Sequence, residues 1–223
     1  AIVGGNRVNQ KDETVVQTVV QSDSVKLTVL GGEIADCQHL FGAGYVWNGE
    51  LQVTNTQVDL KNGYIGKTSY IVAGGFVNGS GNTLAADNVA VTISGGTYGY
   101  VFGGAWVQAH ATAQVDDVSI TLDDTAQVSR LYAGGTQTAD AGWREEEGKG
   151  SHVTNAAITV SGTHSETDIF LTGRYDHCTV DSAELTLNNA SVGWVDGVSS
   201  SGYNNTTGTT ALNINGTCSI REA

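Results

Sequence analysis

A chain of 223 residues with 30 glycines, no proline and no methionine, and with abundant Thr, Val, Asn and Asp, favours short strands and tight turns over helix. Its formal net charge of −13, against only ten Lys and Arg, repels nucleic acid and anionic membrane surfaces and argues against both as partners. No apolar run approaches the roughly 20 residues of a membrane helix, so no insertion of that kind is expected.

In chain order, one phrase recurs, seen most fully in residues 89–104 (VAVTISGGTYGYVFGG). Val89, Val91 and Ile93 alternate with smaller or polar residues, the period of a strand with one buried face. The core of that strand returns as Leu27-Thr28-Val29, Val58-Asp59-Leu60, Val91-Thr92-Ile93, Ile120-Thr121-Leu122, Ile158-Thr159-Val160, Leu185-Thr186-Leu187 and Leu212-Asn213-Ile214. The intervals are 31, 33, 29, 38, 27 and 27 residues, within the range of solenoids and repeat arrays.

A second apolar run recurs as Ile2-Val3, Leu40-Phe41, Ile71-Val72, Val101-Phe102, Leu131-Tyr132, Ile169-Phe170 and Trp194-Val195, mostly trailed by Gly and Ala. A looser third segment, such as Leu51-Gln52-Val53 or Val115, closes the turn. Three short strands in such a unit cannot bury their own inward face, so neighbouring units must stack. The expected fold is all-β, a parallel β-helix (β-solenoid) of about six to seven coils with roughly 30 residues each, forming one domain over residues 1–223. A kelch-type propeller needs about 50 residues per blade, and a sandwich would not keep Thr between two apolar residues in five of seven copies.

The 38-residue interval carries an expected loop insertion at 139–152, polar apart from Trp143. The chain opens on a second run and closes on a first strand. From Leu27 to Leu40 and from Val58 to Ile71 the offset is 13 residues, and Leu212 reaches Ile2 of a following copy after the same 13. Ile2, Val3, Leu212 and Ile214 are therefore expected to stack copies end to end into fibres.

Stacking places equivalent residues in files, and the file preceding the second run reads His39, Tyr70, Tyr100, Arg130, Asp168, Gly193. Tyrosines offer flat apolar faces with polar tips, so Tyr70, Tyr100, Arg130 and Asp168 are the candidate ligand-binding strip, for glycans. The next file, Phe41, Val72, Phe102, Tyr132, Phe170, Val195, joins the core only where the glycines bend the chain, and otherwise leaves an exposed aromatic stripe. The best cluster for chemistry is Glu166, Asp168, Arg174, Asp176 and His177, with Asp36 and His39 further off. It fixes no pair of carboxylates, and so few cations suit an acidic-polysaccharide lyase poorly.

No catalytic or metal residue is assigned and no cofactor is expected, although Asp87-Asn88, Asp116-Asp117 and Asp123-Asp124 offer oxygen ligands that calcium could accept. Cys37, Cys178 and Cys218 have no metal-ligand spacing and allow at most one internal disulfide.

The phrases Val-x-Val-Thr-Ile-x-Gly-Gly and Val-Phe-Gly-Gly, with their echoes over residues 24–220, resemble the glycine-rich β-solenoid repeats of bacterial cell-surface proteins, among them adhesins and autotransporter-like passengers. The resemblance implies an extracellular or cell-surface structural and adhesive role without enzymatic activity. Its alternatives are a carbohydrate-binding module and a polysaccharide-active enzyme. The implied partners are copies of the same chain and host or environmental glycans.

Overall fold

The computed structural model describes residues 1–9, 19–34, 38–137, 149–175, 177–197 and 208–222, and every regular element among them is a strand. The chain winds as a β-solenoid of about six coils. The seven sequence triplets form one file in parallel register: Leu27 beside Val58, then Val91, Ile120, Ile158, Leu185 and Leu212.

Each coil has three faces. The first is built of 11-residue strands such as Thr83–Ile93 and Thr112–Leu122, the second of strands such as Gly96–Phe102 and Ala126–Tyr132, and the third of short strands such as Phe76–Asn78 and Trp106–Gln108. Leu51-Gln52-Val53 and Val115 belong to the long first-face strands and not to a third segment. The third strand is the aromatic-Val pair after the glycine corner, in Tyr45-Val46, Phe76-Val77 and Trp106-Val107, registered rung on rung.

Along the first face, Leu51, Val53, Val58 and Leu60 point inward and are at most 2% exposed. Alternation breaks where Thr54 and Asn55 are both exposed, and Asn residues brace this bend between rungs. Asn88 Nδ2 donates to Asn55 Oδ1 at 3.3 Å, and Asn155 Nδ2 to Asp117 Oδ1 at 2.9 Å.

On the outer side of the first face, Asp59 accepts from Gln57 at 2.9 Å and pairs with Lys26 at 3.1 Å. Burial raises this carboxyl, but the hydrogen bonds and the cation outweigh it and hold the pKa below its ordinary 3.8. A carboxyl depressed by folding stabilises fully above its unfolded pKa, and the contribution is lost as pH falls through the lower folded value. Asp59→Asn should therefore cost about 1 kcal/mol at pH 7. The gap between the two unfolding midpoints should close as the pH is taken below 3.8, which midpoint measurements between neutral and acid pH test.

Gly74, Gly104, Gly134 and Gly173 line one corner between the second and third faces, with Gly74 N–H donating to Gly104 O at 3.2 Å and Gly104 N–H to Gly134 O at 3.1 Å. A Cβ on Gly104 would lie 2.6 Å from Gly135 N and 2.8 Å from Gly134 C, so at this corner one rung rests directly on the backbone of the next.

The file of Leu40, Ile71, Val101, Leu131 and Ile169 enters the central core. Its neighbours, Phe41, Val72, Phe102 and Tyr132, are at most 3% exposed but belong to a second cluster packed with Phe76. They are thus neither central core nor bare stripe. The aromatics of the third face cover them from outside.

In the last described coil, Ile169 pairs with Val195 and Phe170 with Asp196, one residue later than the sequence alignment. The 19-residue strand Cys178–Asp196 turns the corner without a break, and Asn189, at φ +47°, bulges out of register. Trp194, not Gly193, consequently follows Asp168 in the candidate strip.

Of the expected insertion, Gly150, Ser151 and His152 form the start of strand Gly150–His164, because they pair with Thr112, Ala113 and Gln114. Trp143 lies outside the described residues. Ser219–Glu222 continues the coil after Leu212, placing Ile220 beside Val192 in the first half of a second-face strand.

Candidate functional site: an aromatic and arginine groove

The parallel register brings together His39, Tyr70, Tyr100, Arg130 and Asp168 on the outer side of the second face. All of the candidate strip is therefore one continuous file. Across the corner, the third face contributes a second file: Arg7, Tyr45, Phe76, Trp106, Thr136 and Arg174.

The two files meet. Trp106 packs edge-on to His39 at 4.7 Å and tilts over Tyr70 at 5.4 Å between ring centroids. Tyr70 and Tyr100 lie 5.2 Å apart. Beneath them, Phe102, Tyr132 and Phe170 stack face to face at 4.6 Å with interplanar angles of 11° and 10°. Aromatic pairs of this kind contribute about 0.5–1.5 kcal/mol beyond the area they bury, so the groove has a stiff floor.

Cations are threaded through the rings. Arg174 lies 4.5 Å from the Tyr175 centroid, 5.0 Å from Tyr100 and 5.4 Å from Tyr70. It also donates to Tyr70 Oη at 2.6 Å. Arg130 sits 5.5 Å from the Tyr100 centroid and faces Asp168 at 3.8 Å. Burial works against the Arg130 charge, but Tyr132 and Asp168 outweigh it and hold its pKa above the usual arginine value. Asp168 also approaches Arg221 at 4.0 Å and accepts from the Trp194 backbone N–H at 3.2 Å. Burial holds the His39 imidazole below its ordinary 6.5, so it is neutral at pH 7.

A cleft of about 510 Å³ opens between the files, lined by Gln38, His39, Thr68, Tyr70, Trp106, Gln137 and Tyr175. Three of these lining rings, Tyr70, Trp106 and Tyr175, supply flat surfaces, and the amides and hydroxyls supply polar edges. This combination suits a ring-shaped ligand with hydroxyls at its rim.

The described members of the cluster weighed for chemistry do not all come together, and Asp168 belongs to the outer file of the second face. Arg174 lies in the groove, and Glu166 lines a different cleft of about 370 Å³ together with Tyr98, His164 and Thr167. His177 is tied by its carbonyl to the Ser151 N–H at the start of a first-face strand. Asp36 and Asp176 lie outside the described residues.

Asp116 and Asp117 lie not at a turn but in the middle of strand Thr112–Leu122, where they receive amide hydrogens from Gln114 and Asn155. No group of three metal-ligating side chains occurs among the described residues. Cys178 is buried, the Cys218 thiol donates to the Leu187 carbonyl at 3.6 Å, and Cys37 lies outside the described residues.

The residues expected to stack copies lie on the outermost rungs. Ile2 and Val3 pair with Leu40 and Phe41, while Leu212 and Ile214 pair with Leu185 and Leu187. Ile2, Leu212 and Ile214 are 38%, 46% and 54% exposed.

Sequence reasoning missed Arg174, Trp106 and Tyr45 as parts of this surface. The aromatic-Val pair after each glycine corner was the available signal for Tyr45 and Trp106. Arg174 carried none, since it stands 104 residues from its hydrogen-bond partner Tyr70.

The fold and groove together define the class: a parallel β-solenoid that presents a longitudinal aromatic and arginine surface. No family model, curated protein or solved structure matches the chain.

Proposed function

We propose that this chain is a non-enzymatic binding solenoid of the cell exterior, a stiff stack of coils that holds glycan chains along its aromatic and arginine groove. The observation that carries this reading is the meeting of two files, Tyr70 and Tyr100 from one face and Trp106 from the next, over a buried floor of stacked rings. Repeating subsites spaced by the rungs match a polymer made of repeating rings, and aromatic faces hold sugar rings through their C–H surfaces. Asp168 is engaged by Arg130, Arg221 and a backbone N–H, contacts that suit a positioning role better than proton transfer to a ligand. The adhesive, extracellular role further rests on the glycine-rich phrases, which resemble those of surface solenoids.

The test is glycan-array binding by the purified chain and by Tyr100→Ala. Tyr100 is half-buried on the outer file, so its truncation should abolish binding with a change in stability of only about 1 kcal/mol. Array signals that survive the substitution, or that are absent from the starting protein, sink the reading. Release of reducing ends or unsaturated sugars from a bound glycan would replace it with an enzyme.

A further inference from the structure

Four of the five arginines of a chain with net charge −13 lie along the groove: Arg7 over Tyr45, Arg130 over Tyr100, Arg174 among three tyrosines, and Arg221 beside Asp168. The fifth, Arg144, lies outside the described residues. The average composition that argues against an acidic ligand is thus reversed locally.

The four are not equivalent. Arg130 and Arg221 share the carboxylate of Asp168. Arg174 forms no ion pair with a described carboxylate and spends one donor on the Tyr70 hydroxyl at 2.6 Å. Its guanidinium carbon lies within 5.4 Å of the ring centroids of Tyr175, Tyr100 and Tyr70. Two of those tyrosines, Tyr70 and Tyr175, line the 510 Å³ cleft, whose described lining holds no charged side chain except by way of His39; Arg174 stands at its edge, against these two rings, and is not itself a lining residue. A guanidinium has five donors in a planar fork that matches a carboxylate with two parallel bonds. Stacking on rings holds that fork in place without consuming its in-plane donors.

We infer that this cleft takes a carboxylated sugar ring, a uronate unit of an acidic polysaccharide, whose ring lies on Tyr70 and Trp106 and whose carboxylate is bound by Arg174. The inference rests on the glycan-binding reading and adds the class of sugar. The net charge repels an anionic polymer only at a distance. At physiological salt that repulsion is screened beyond about 8 Å, so contact is decided by the nearest charges, which among the described residues include Arg174 and, further along the file, Arg130 with its partner Asp168.

Calorimetric titration of the full chain with hexameric uronates (galacturonate, mannuronate and guluronate) and with their methyl esters tests this, because esterification removes the charge and keeps the ring. At least one acid should bind at least tenfold more tightly than its ester. Arg174→Gln should remove that preference, weakening the acid at least tenfold and leaving the ester within about twofold, while Arg174→Lys should retain part of it. The unfolding midpoint of each variant shows that the coil is intact.

Equal binding of acid and ester overturns the inference and leaves the glycan reading standing. So does a preference for neutral hexamers, or an acid preference untouched by Arg174→Gln. A loss of acid and ester together in Arg174→Gln also overturns it, since Arg174 would then only position Tyr70. If neither acids, esters nor neutral hexamers bind, the proposed function falls together with it.

Discussion

Replacing Gly104 by alanine should lower the thermal unfolding midpoint by about 10 °C, a loss of about 3 kcal/mol in a chain of this length. The added methyl would be placed 2.6 Å from Gly135 N and 2.8 Å from Gly134 C. Both obstacles are backbone atoms of the next rung and cannot rotate aside as a side chain would. Relief requires lifting one coil off another, which stretches the 3.1 Å bond from Gly104 N–H to Gly134 O and opens the groove floor just behind Phe102. The matched control is Gly31→Ala, where nothing lies within 4 Å and no left-handed backbone is needed; its midpoint should stay within about 2 °C. Equal behaviour of the two variants in a melting experiment would show that the glycine corner does not set the rung spacing.

Phe102→Ala should cost about 3–5 kcal/mol. Phe102 is 0% exposed, stacks on Tyr132 at 4.6 Å, and meets the edge of Tyr70 at 5.7 Å. Its removal leaves a cavity under the groove and frees Tyr70 to tilt, so glycan affinity should fall along with stability. Tyr100→Ala separates these effects, since it removes a groove ring while the floor stays in place. In a stack where each coil touches only its neighbours, the damage should also be local. Amide exchange should quicken in Ala126–Tyr132 and Tyr64–Val72, the strands on either side, and much less in Thr210–Asn215 at the end of the stack. Uniform quickening throughout would instead describe a coil that melts as one cooperative unit.

How much of this was legible beforehand depended on strand length. The first-face strands bury Val89, Val91 and Ile93 on alternate positions, so their period was plain and their register, triplet over triplet, followed. The third-face strands are about three residues long, as in Trp106–Gln108, too short for any period to emerge. Leu51 and Val53 were mistaken for them because the long strand bends at Thr54 and Asn55 and so reads as two pieces. The file of Tyr70, Tyr100, Arg130 and Asp168 could be found by counting. The last position slipped from Trp194 to Gly193 because one bulged residue, Asn189, is invisible to counting. Arg174 could be singled out beside Asp168 but not placed against Tyr70 and Tyr100, since that position depends on the third face that the sequence concealed. Phe41 and Phe102 were ambiguous for a physical reason: strict alternation sets them opposite the core, and only a second buried cluster, shared by two faces, resolves that conflict.

The ladders that hold the coils together all point along the length of the molecule. A tensile load applied between its two ends therefore pulls each ladder open instead of sliding it sideways, and the ladders carry that load in series. No coil can be stronger under tension than its neighbour allows, and the yield force belongs to whichever junction is least supported. A single coil that gives way would release about 30 residues of slack, near 100 Å of chain, and shield the rest from the pull.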